Sequence, residues 1–291
     1  MTMGLGGYLI EKYNNMTGAY TCNRLVEEAK KLGIDLKIIG VHDTTVTCDG
    51  IFNHGQLLEK RDFVINRYKW GKLKDRINEL GSRSYNNIYS FNRYINKYQQ
   101  LRDIKSLDFL VPKYVLGTAL LPYEEVVSEV GTPFVAKGLE SSMGEQISLV
   151  GSFEDYRRLL DTYGPEKELL FEEYISTSYG RDMRIFSLRG KVIAGMVRKS
   201  QGDFRANVAL GATVEPLTIT PAIEMIAYAI YLYSCVDFVG IDLLFGEDKP
   251  YFCEINVMPG LEGIEASSGK NIAGMIMETI KGDFENEQTG S

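Results

Sequence analysis

The residues best suited to chemistry lie near the carboxyl end of the chain, where Asp242 precedes the pair Glu254 and Asn256. These residues interrupt the apolar runs VGIDLL and YFCEINV, and the turn GEDKP between the runs predicts an antiparallel hairpin. Because residues two apart on a strand point to one face, Glu254 and Asn256 project together, and Asp242 can meet them from the neighbouring strand. The set offers only oxygen ligands, which suits Mg²⁺ held partly by nucleotide phosphates.

An alternative interpretation treats these acidic side chains as solvated residues beside a turn. It is disfavoured because an unpaired carboxylate on a half-buried strand costs free energy. The pattern therefore favours a metal site over a solvated face.

Two lysines on separate elements are candidates for contact with phosphates. Lys137 ends the strand PFVAKG among residues typical of a core, so its ammonium group needs an anionic partner. Lys97 lies in NRYINKYQQ and, taken alone, is typical of a surface lysine. The loop after Lys137, GLESSMGEQ, is rich in small residues whose backbone N–H groups can close over phosphates, although it is neither a Walker loop nor a dinucleotide fingerprint.

Three arginines form a third group of candidate residues, after the metal ligands and the lysines. Arg184 lies in GRDMR, Arg198 precedes Lys199, and Arg205 lies in GDFRANVALGA. Arginines that face a metal–phosphate centre would neutralise charge on a transferring phosphoryl group. Salt bridges to the many acidic residues are the alternative for each arginine taken singly.

The elements that position these residues alternate between helix and strand, which predicts an α/β and α+β chain. Four segments are predicted: an α/β unit at 1–92, a second unit at 93–175, a third at 176–282, and a flexible polar tail at 283–291. The principal predicted helices and strands are helix 20–32, strand Asp35–Gly40, strand Phe63–Ile65, helix Lys97–Leu107, strands in TPFVAKG, EQISLVG and ELLFEEYI, helix Phe153–Thr162, a hairpin turning at Arg189-Gly190, and helix Thr220–Cys235 with Thr220 as its N-cap.

Composition excludes several classes of function. A net charge of -7 and a pI of about 5.1 disfavour binding to nucleic acid. No apolar run is long enough to span a bilayer, and the start lacks the pattern of a secretory signal, so we expect a cytoplasmic protein without a membrane partner. The four cysteines form no CxxC pair and only two histidines occur, so a zinc site is not expected.

Taken together, these motifs resemble the ATP-grasp superfamily and, within it, the RimK-like α-L-glutamate ligases. The resemblance covers nearly the whole chain and is strongest from about residue 93 to 275. The motif EINVMPGLEGIE is the most specific, because its spacing from Asp242 also matches the family. The other motifs that carry the resemblance are NKYQQL, PFVAKGLESSMG, FEEYI, GRDMRIF, GDFRANVALGA and VGIDLLF.

The resemblance implies an ATP-grasp fold, with an N-terminal pre-grasp domain beside two α+β subdomains that clasp ATP. It also implies the cofactors ATP and two Mg²⁺ ions, with Mn²⁺ as an alternative metal. By match to family positions, the metal ligands would be Asp242, Glu254 and Asn256, and the catalytic arginines would be Arg184, Arg198 and Arg205. The ATP-binding residues would be Lys97, Lys137, Glu173, Tyr174 and Ile175 (an adenine hinge), Asp182 (the ribose) and Asn207, and the lid loop at 138–146 would include Ser141, Ser142 and Gly144.

The implied reaction is ATP-dependent amide formation through an acyl-phosphate, with glutamate or another amino acid attached to a small molecule, a carrier protein or a peptide. Two alternatives stay open: a peptide-modifying ligase that makes side-chain amide or ester links, and a nucleotide-binding protein without ligase activity. Analogy with the family predicts a homodimer or homotetramer. Departures from the family pattern at 138–146 and 208–213, and at Met258, leave the substrate open.

Overall fold

A computed structural model of the chain describes residues 4–15, 19–140, 146–200, 202–206 and 212–289. The described residues form three principal sheets that follow one another along the sequence, together with a small meander. Each sheet falls within one of the three segments predicted from the sequence, while the exact domain boundaries stay predictions.

The N-terminal sheet is parallel, with strand order β2-β1-β6-β7. Successive residues of β1 point to opposite faces of this sheet, and both faces are buried. Leu9 packs on one side, and Tyr8 and Ile10 pack on the other. The elements of this unit are β1 (Gly6–Glu11), α1 (Tyr20–Lys31), β2 (Asp35–Gly40), the meander β3 (Thr44–Thr47), β4 (Gly50–Asn53) and β5 (Gln56–Leu57), then β6 (Arg61–Asn66), α2 (Gly71–Asn78) and β7 (Gly81–Tyr85).

The central sheet is antiparallel, with order β10-β9-β11-β8. Its core contains a cluster of ring contacts that joins Phe134, Tyr156 and Phe171. The elements are α3 (Ile88–Arg93), α4 (Lys97–Lys105), β8 (Tyr114–Gly117), α5 (Tyr123–Val130), β9 (Phe134–Gly138), β10 (Ile147–Val150), α6 (Phe153–Tyr163) and β11 (Leu169–Glu173).

The C-terminal sheet is antiparallel, with order β14-β13-β12-β15-β16. Its elements are β12 (Arg181–Leu188), β13 (Lys191–Lys199), β14 (Thr213–Pro216), α7 (Pro221–Ser234), β15 (Phe238–Leu244), β16 (Tyr251–Asn256), α8 (Glu262–Ser268) and α9 (Ile272–Thr289). The predicted turn at Arg189-Gly190 is confirmed: both residues have positive φ, 48° and 79°, which suits a tight two-residue hairpin. The predicted cap is also confirmed, since the Thr220 side chain accepts a hydrogen bond from the Ile223 N–H.

One hydrophobic core joins the first and third units. It brings Leu9 and Phe63 of the N-terminal strands together with Phe186 of β12 and with Ile276 and Met277 of α9. Within the described ranges, no helix has the length and apolar character needed to cross a membrane.

The segment predicted as a flexible tail from residue 283 is helical as far as Thr289, where α9 ends. Asp283 gives the physical reason: its carboxylate accepts a hydrogen bond from the Tyr85 hydroxyl at 2.6 Å and two from the Arg189 guanidinium at 2.8 and 2.5 Å. These partners lie 198 and 94 residues away in sequence, so local polarity alone could not reveal the anchor. The helix predicted to end at Leu107 ends at Lys105.

Candidate active site

The hairpin of β15 and β16 places the predicted metal ligands on neighbouring strands. Asp242 pairs directly with Glu254, and Gly240 pairs with Asn256. The register shifts after Asp242, which leaves Cys253 as an extra residue, and both Cys253 and Glu254 consequently line one cavity with Asp242. Asp242 is buried, whereas 31% of the Glu254 side chain is exposed. The predicted juxtaposition of the two carboxylates is therefore present.

Two arginines hold Asp242. Arg184 lies opposite it on β12 and donates from Nε and Nη2 to its two oxygens at 2.6 and 2.5 Å, and Arg198 of β13 donates from Nη2 at 2.9 Å. Burial raises the pKa of Asp242, but the charges of Arg184 and Arg198 outweigh burial and hold the pKa below its ordinary value. The carboxylate is thus ionised and held by three hydrogen bonds from the two arginines.

Arg198 also binds Asp182, its partner across β12 and β13, through two hydrogen bonds of 2.6 Å. Burial raises the pKa of Asp182, and the neighbouring Arg198 opposes that rise. The predicted ribose ligand therefore already has a charged partner, and any ribose contact must share the carboxylate with Arg198.

The two predicted phosphate lysines line the same cavity from opposite elements. Lys97 opens α4 and lies with its Nζ 3.7 Å from the Glu254 carboxylate. Lys137 of β9 is buried and donates from Nζ to the Glu172 carboxylate at 2.6 Å. The interpretation of Lys97 as a surface lysine is wrong, since the residue is only 6% exposed.

Lys137 keeps its charge despite burial. Burial lowers the pKa of Lys137, but Cys253 and Glu172 raise the pKa overall above its ordinary value. Burial also raises the pKa of Cys253 to about 12, so that thiol is neutral near pH 7. The contact with Glu172 at 2.6 Å therefore accounts for the protonated lysine at neutral pH.

The segment Glu173, Tyr174 and Ile175 begins at the last residue of β11 and lines the cavity. The Glu173 N–H donates to the Lys113 carbonyl at 2.8 Å, and its carboxylate accepts from the Lys113 N–H at 3.1 Å. These bonds hold the chain where it leaves the sheet, and the role of this segment as an adenine hinge stays a prediction.

Arg205 also lines the cavity, next to Phe204, and its guanidinium donates to Asp203 at 2.7 Å. Gly138 donates its N–H to the Gln146 carbonyl at 2.9 Å, which joins the two ends of the predicted lid loop. The predicted residues Asn207, Ser141, Ser142 and Gly144 lie outside the described residues.

Comparison with known proteins identifies the family. The sequence profile of the RimK-like ATP-grasp domain matches residues 100–280. A protein named probable alpha-L-glutamate ligase from Methanococcoides burtonii is 31% identical over 275 residues, which cover 90% of this chain and 91% of that protein. The chain belongs to the RimK-like ATP-grasp family. As predicted from the sequence, this RimK-like chain is therefore an ATP-grasp ligase.

Solved structures show the same fold. The D-alanine–D-alanine ligase of Bacillus anthracis, complexed with ATP, superposes with a TM-score of 0.72 at 15% identity over 99% of this chain and all of that one (100%). The ATP-grasp ligase PsnB, complexed with minimal precursor, Mg and ADP, gives a TM-score of 0.71 at 15% identity over 97% of this chain and 99% of that one. At these identities the likeness establishes the ATP-grasp fold alone.

The RimK-like cavity fits a magnesium ion held jointly with phosphates. Among the described residues, no group of three or more His, Cys, Asp or Glu side chains is arranged to hold an ion by itself. The available donors are the partly exposed Glu254 carboxylate, whose nearest cations lie 3.7 and 4.0 Å away, the Asp242 carboxylate, and the Asn256 amide oxygen, which accepts from the Met258 N–H. An incomplete oxygen set of this kind matches the preference of Mg²⁺ for a few carboxylates plus substrate phosphates.

Arg184 and Asn256 are not among the residues that line the cavity; they lie on either side of Gly240. A Cβ atom at Gly240 would lie 3.4 Å from Pro259 Cβ, 3.6 Å from Asn256 Cβ and 3.8 Å from Arg184 Nε. A methyl group there would make ordinary van der Waals contact with all three residues, so Gly240 leaves little free space beside the predicted metal ligands.

The structure adds Gln100, which the sequence analysis did not single out. Its buried amide donates to the Ile255 carbonyl at 3.0 Å and accepts from the Ile255 N–H at 2.7 Å, so it clamps the residue between Glu254 and Asn256. Gln100 lies three residues after Lys97 and therefore on the same face of α4. This spacing from Lys97 is the feature of the sequence that could have identified Gln100. Glu172 and Cys253 also line the cavity and were not predicted.

Proposed function

We propose that this RimK-like ligase uses ATP and magnesium to join a carboxylate to the amine of an amino acid, with glutamate as the first candidate. The bond formed is an amide, and the activated species is an acyl-phosphate. The observation that carries the proposal is a single cavity lined by Lys97 and Lys137, by Asp242 and Glu254, and by the hinge segment 173–175.

The lining of the cavity suits the parts of ATP. Val135, Tyr174 and Ile175 supply apolar surface and backbone for a flat base, and the lysines and carboxylates supply charge for the phosphates and the metal. We propose that Lys97 and Lys137 contact the phosphates. We also propose that the Asp182 carboxylate binds the ribose while it keeps its hydrogen bonds to Arg198. Asn207 is proposed to lie near the γ-phosphate.

Asp242, Glu254 and Asn256 would hold magnesium, for which we propose two ions, with Mn²⁺ as a substitute. When bound, the metal supplies positive charge to the phosphate oxygens and lowers repulsion toward an incoming carboxylate. The arginines at Asp242 mean that this carboxylate stays ionised and oriented before any metal arrives.

The proposed reaction has two steps. A substrate carboxylate oxygen attacks the γ-phosphorus, the bond to the β–γ bridging oxygen breaks, and ADP leaves an acyl-phosphate behind. The amine then attacks the carbonyl carbon, inorganic phosphate leaves with the bonding electrons, and the amine loses a proton. Arg184, Arg198 and Arg205 are proposed to offset the negative charge that gathers in the first step.

Exclusion of water would protect the acyl-phosphate from hydrolysis. The hydrogen bond between Gly138 and Gln146 joins the two ends of the predicted lid loop, and we propose that this loop excludes water. The alternative of a nucleotide-binding protein without activity is disfavoured, because the lysines and carboxylates are all retained in one cavity.

The test is substrate-dependent ADP release with glutamate and other amino acids against a panel of carboxylates, with mass detection of the product. We expect Glu254→Ala to lower this release by about a hundredfold or more, because metal ligation supplies several kcal/mol of charge stabilisation. Glu247→Ala is the matched control, since Glu247 is exposed in the turn of the same hairpin. Undiminished ADP release by Glu254→Ala would refute the metal assignment.

A further inference from the structure

Every second carbonyl group from residue 255 to residue 259 accepts a hydrogen bond from a side chain outside the C-terminal sheet. The donors, in the order of the carbonyls that they contact, are Gln100 at 3.0 Å, Asn86 at 3.1 Å and Arg67 at 3.1 Å. We call these three side chains the backbone clamp. The segment that they hold includes the predicted metal ligand Asn256.

Asn86 closes the open end of the hairpin that carries the metal ligands. The ladder between β15 and β16 ends at the pair Gly240 and Asn256. Beyond that pair, the Asn86 side chain accepts from the Phe238 N–H at 2.9 Å and donates to the Phe238 carbonyl at 2.8 Å and to the Val257 carbonyl at 3.1 Å. One fully buried amide therefore joins β15 to the chain beyond β16 where the ladder has ended.

A buried polar network of the N-terminal unit fixes the position of Asn86. The Asn86 carbonyl accepts from the Ser84 hydroxyl at 2.9 Å and from the Asn66 amide at 3.3 Å, and Asn66 also donates to Asn78 at 2.8 Å. Among the described residues, Asn66 Oδ1 is buried without a hydrogen-bond partner, which costs free energy. Departures from the most stable packing are typical of functional sites, so this network supports a role beyond the fold.

Arg67 extends the clamp beyond Asn256 and is itself oriented. Its Nε donates to the buried Glu11 carboxylate at 2.8 Å, while its Nη1 donates to the Pro259 carbonyl. A planar guanidinium can serve two acceptors in a fixed geometry. Glu11 ends β1 and Arg67 directly follows β6, so the pairing of these two strands sets the position of the guanidinium.

The clamp reaches the metal ligand through one backbone group. The Met258 N–H donates to Asn256 Oδ1 at 3.0 Å. Met258 lies between the two residues whose carbonyl groups Asn86 and Arg67 hold. The positions of Asn86 and Arg67 therefore set the direction of the predicted ligand oxygen.

We propose that Asn86 and Arg67 are positioning residues of the magnesium site, and that the N-terminal unit is part of this site although the predicted ligands all lie in the C-terminal unit. The inference rests on the proposed function, because it requires Asn256 to bind the metal. Groups that orient a metal ligand typically contribute about tenfold to a hundredfold in affinity for the metal. The affinity for nucleotide without metal should stay unchanged, since neither residue lines the ATP cavity.

The test measures binding of Mn²⁺, as a probe for Mg²⁺, by electron paramagnetic resonance with the full chain and the non-hydrolysable analogue AMPPNP at equal, saturating concentrations. We expect Asn86→Leu to raise the Kd for Mn²⁺ about tenfold, with unchanged affinity for AMPPNP in the absence of metal. Asn53→Leu is the matched control, because Asn53 is a buried asparagine of the same unit that donates to Asn14, Asp43 and Thr44 instead. An unchanged Kd in Asn86→Leu, or an equal rise in Asn53→Leu, would overturn the proposal.

A second variant covers the case in which Asn86→Leu does not fold. Glu11→Gln/Arg67→Met removes both charges together, so no buried charge lacks a partner, and the Pro259 carbonyl loses its donor. We expect this double variant to fold and to raise the Kd for Mn²⁺ about threefold or more. An unchanged Kd overturns the role of Arg67 and, if Asn86→Leu is unfolded, the proposal as a whole.

Glu254→Ala separates this inference from the proposed function, because Glu254 is itself a predicted ligand. An unchanged Kd for Mn²⁺ in Glu254→Ala would contradict the metal assignment of the proposed function. A raised Kd in Glu254→Ala together with an unchanged Kd in Asn86→Leu would uphold the metal site and overturn the positioning role.

Discussion

The catalytic cavity and the backbone clamp both bury polar side chains, but these side chains differ in charge. In the cavity, Lys137 and Arg198 are buried and each donates to a carboxylate at 2.6 Å. In the clamp, Asn86 and Gln100 are buried and neutral, and each bonds to backbone groups of the β15–β16 hairpin. A buried charge needs a charged partner because desolvation is expensive, whereas the backbone itself satisfies a neutral amide.

This difference separates the chemistry from the positioning of the metal ligands. Strand register fixes the cavity: Asp242 lies opposite both Arg184 and Glu254, and Asp182 lies opposite Arg198. The clamp lies on α4 and directly after β6 and β7, outside the C-terminal sheet. Changes to the cavity should therefore remove activity or stability, and changes to the clamp should weaken the affinity for magnesium.

The largest effect is expected at Lys137. Lys137→Met removes a cation from the proposed phosphate site and leaves Glu172 buried without its partner. We expect the apparent KM for ATP to rise by about a hundredfold, and the free energy of unfolding to fall by about 3–5 kcal/mol, as is typical of a broken buried pair. Steady-state ADP release and urea unfolding measure the two quantities.

The double variant Lys137→Met/Glu172→Gln separates the two roles. Removing both charges should restore most of the lost stability, because no uncompensated carboxylate remains. The KM for ATP should stay high. A double variant with an ordinary KM for ATP would show that the Lys137–Glu172 pair stabilises the fold and does not bind ATP.

The sequence predicted the cavity better than the clamp, and the reason is the range of the signals. Asp242, Glu254 and Asn256 lie within one hairpin, so alternation and a turn sufficed to place them together. The strand β1 was not predicted: its sequence GGYLIE begins with two glycines, and its partners β2 and β6 lie far along the chain. The contacts of the clamp span 152 to 192 residues, so nothing local indicated that Asn86 and Arg67 reach the hairpin.

A moderate effect is expected at Gln100, which positions the backbone between Glu254 and Asn256. Gln100→Leu leaves the Ile255 N–H and carbonyl without this partner, so we expect the free energy of unfolding to fall by about 2–4 kcal/mol. The magnesium concentration for half-maximal ADP release should rise about tenfold, because metal ligands held loosely bind less well.

Gln99→Leu is the control for this variant, since Gln99 lies on the same helix and donates to Asp103 at 2.7 Å instead. A purely structural role for Gln100 predicts lower stability with an unchanged magnesium requirement. That result would show that Gln100 stabilises the fold and does not position the metal ligands.

The smallest effect is expected from salt, and it tests the comparison directly. Raising the ionic strength from about 0.1 M to about 1 M shortens the screening length from about 10 Å to about 3 Å. Screening weakens the attraction between magnesium and the partly exposed Glu254, so the magnesium concentration for half-maximal ADP release should rise about threefold in the unmodified protein over this range. The ratio of this concentration between Gln100→Leu and the unmodified protein should stay within about twofold of its value at low salt, because the Gln100 hydrogen bonds are neutral and buried. A ratio that falls toward one as salt is added would mean that charge, and not the position of the backbone, carries the effect of Gln100, and the distinction between the charged cavity and the neutral amides of the clamp would fail.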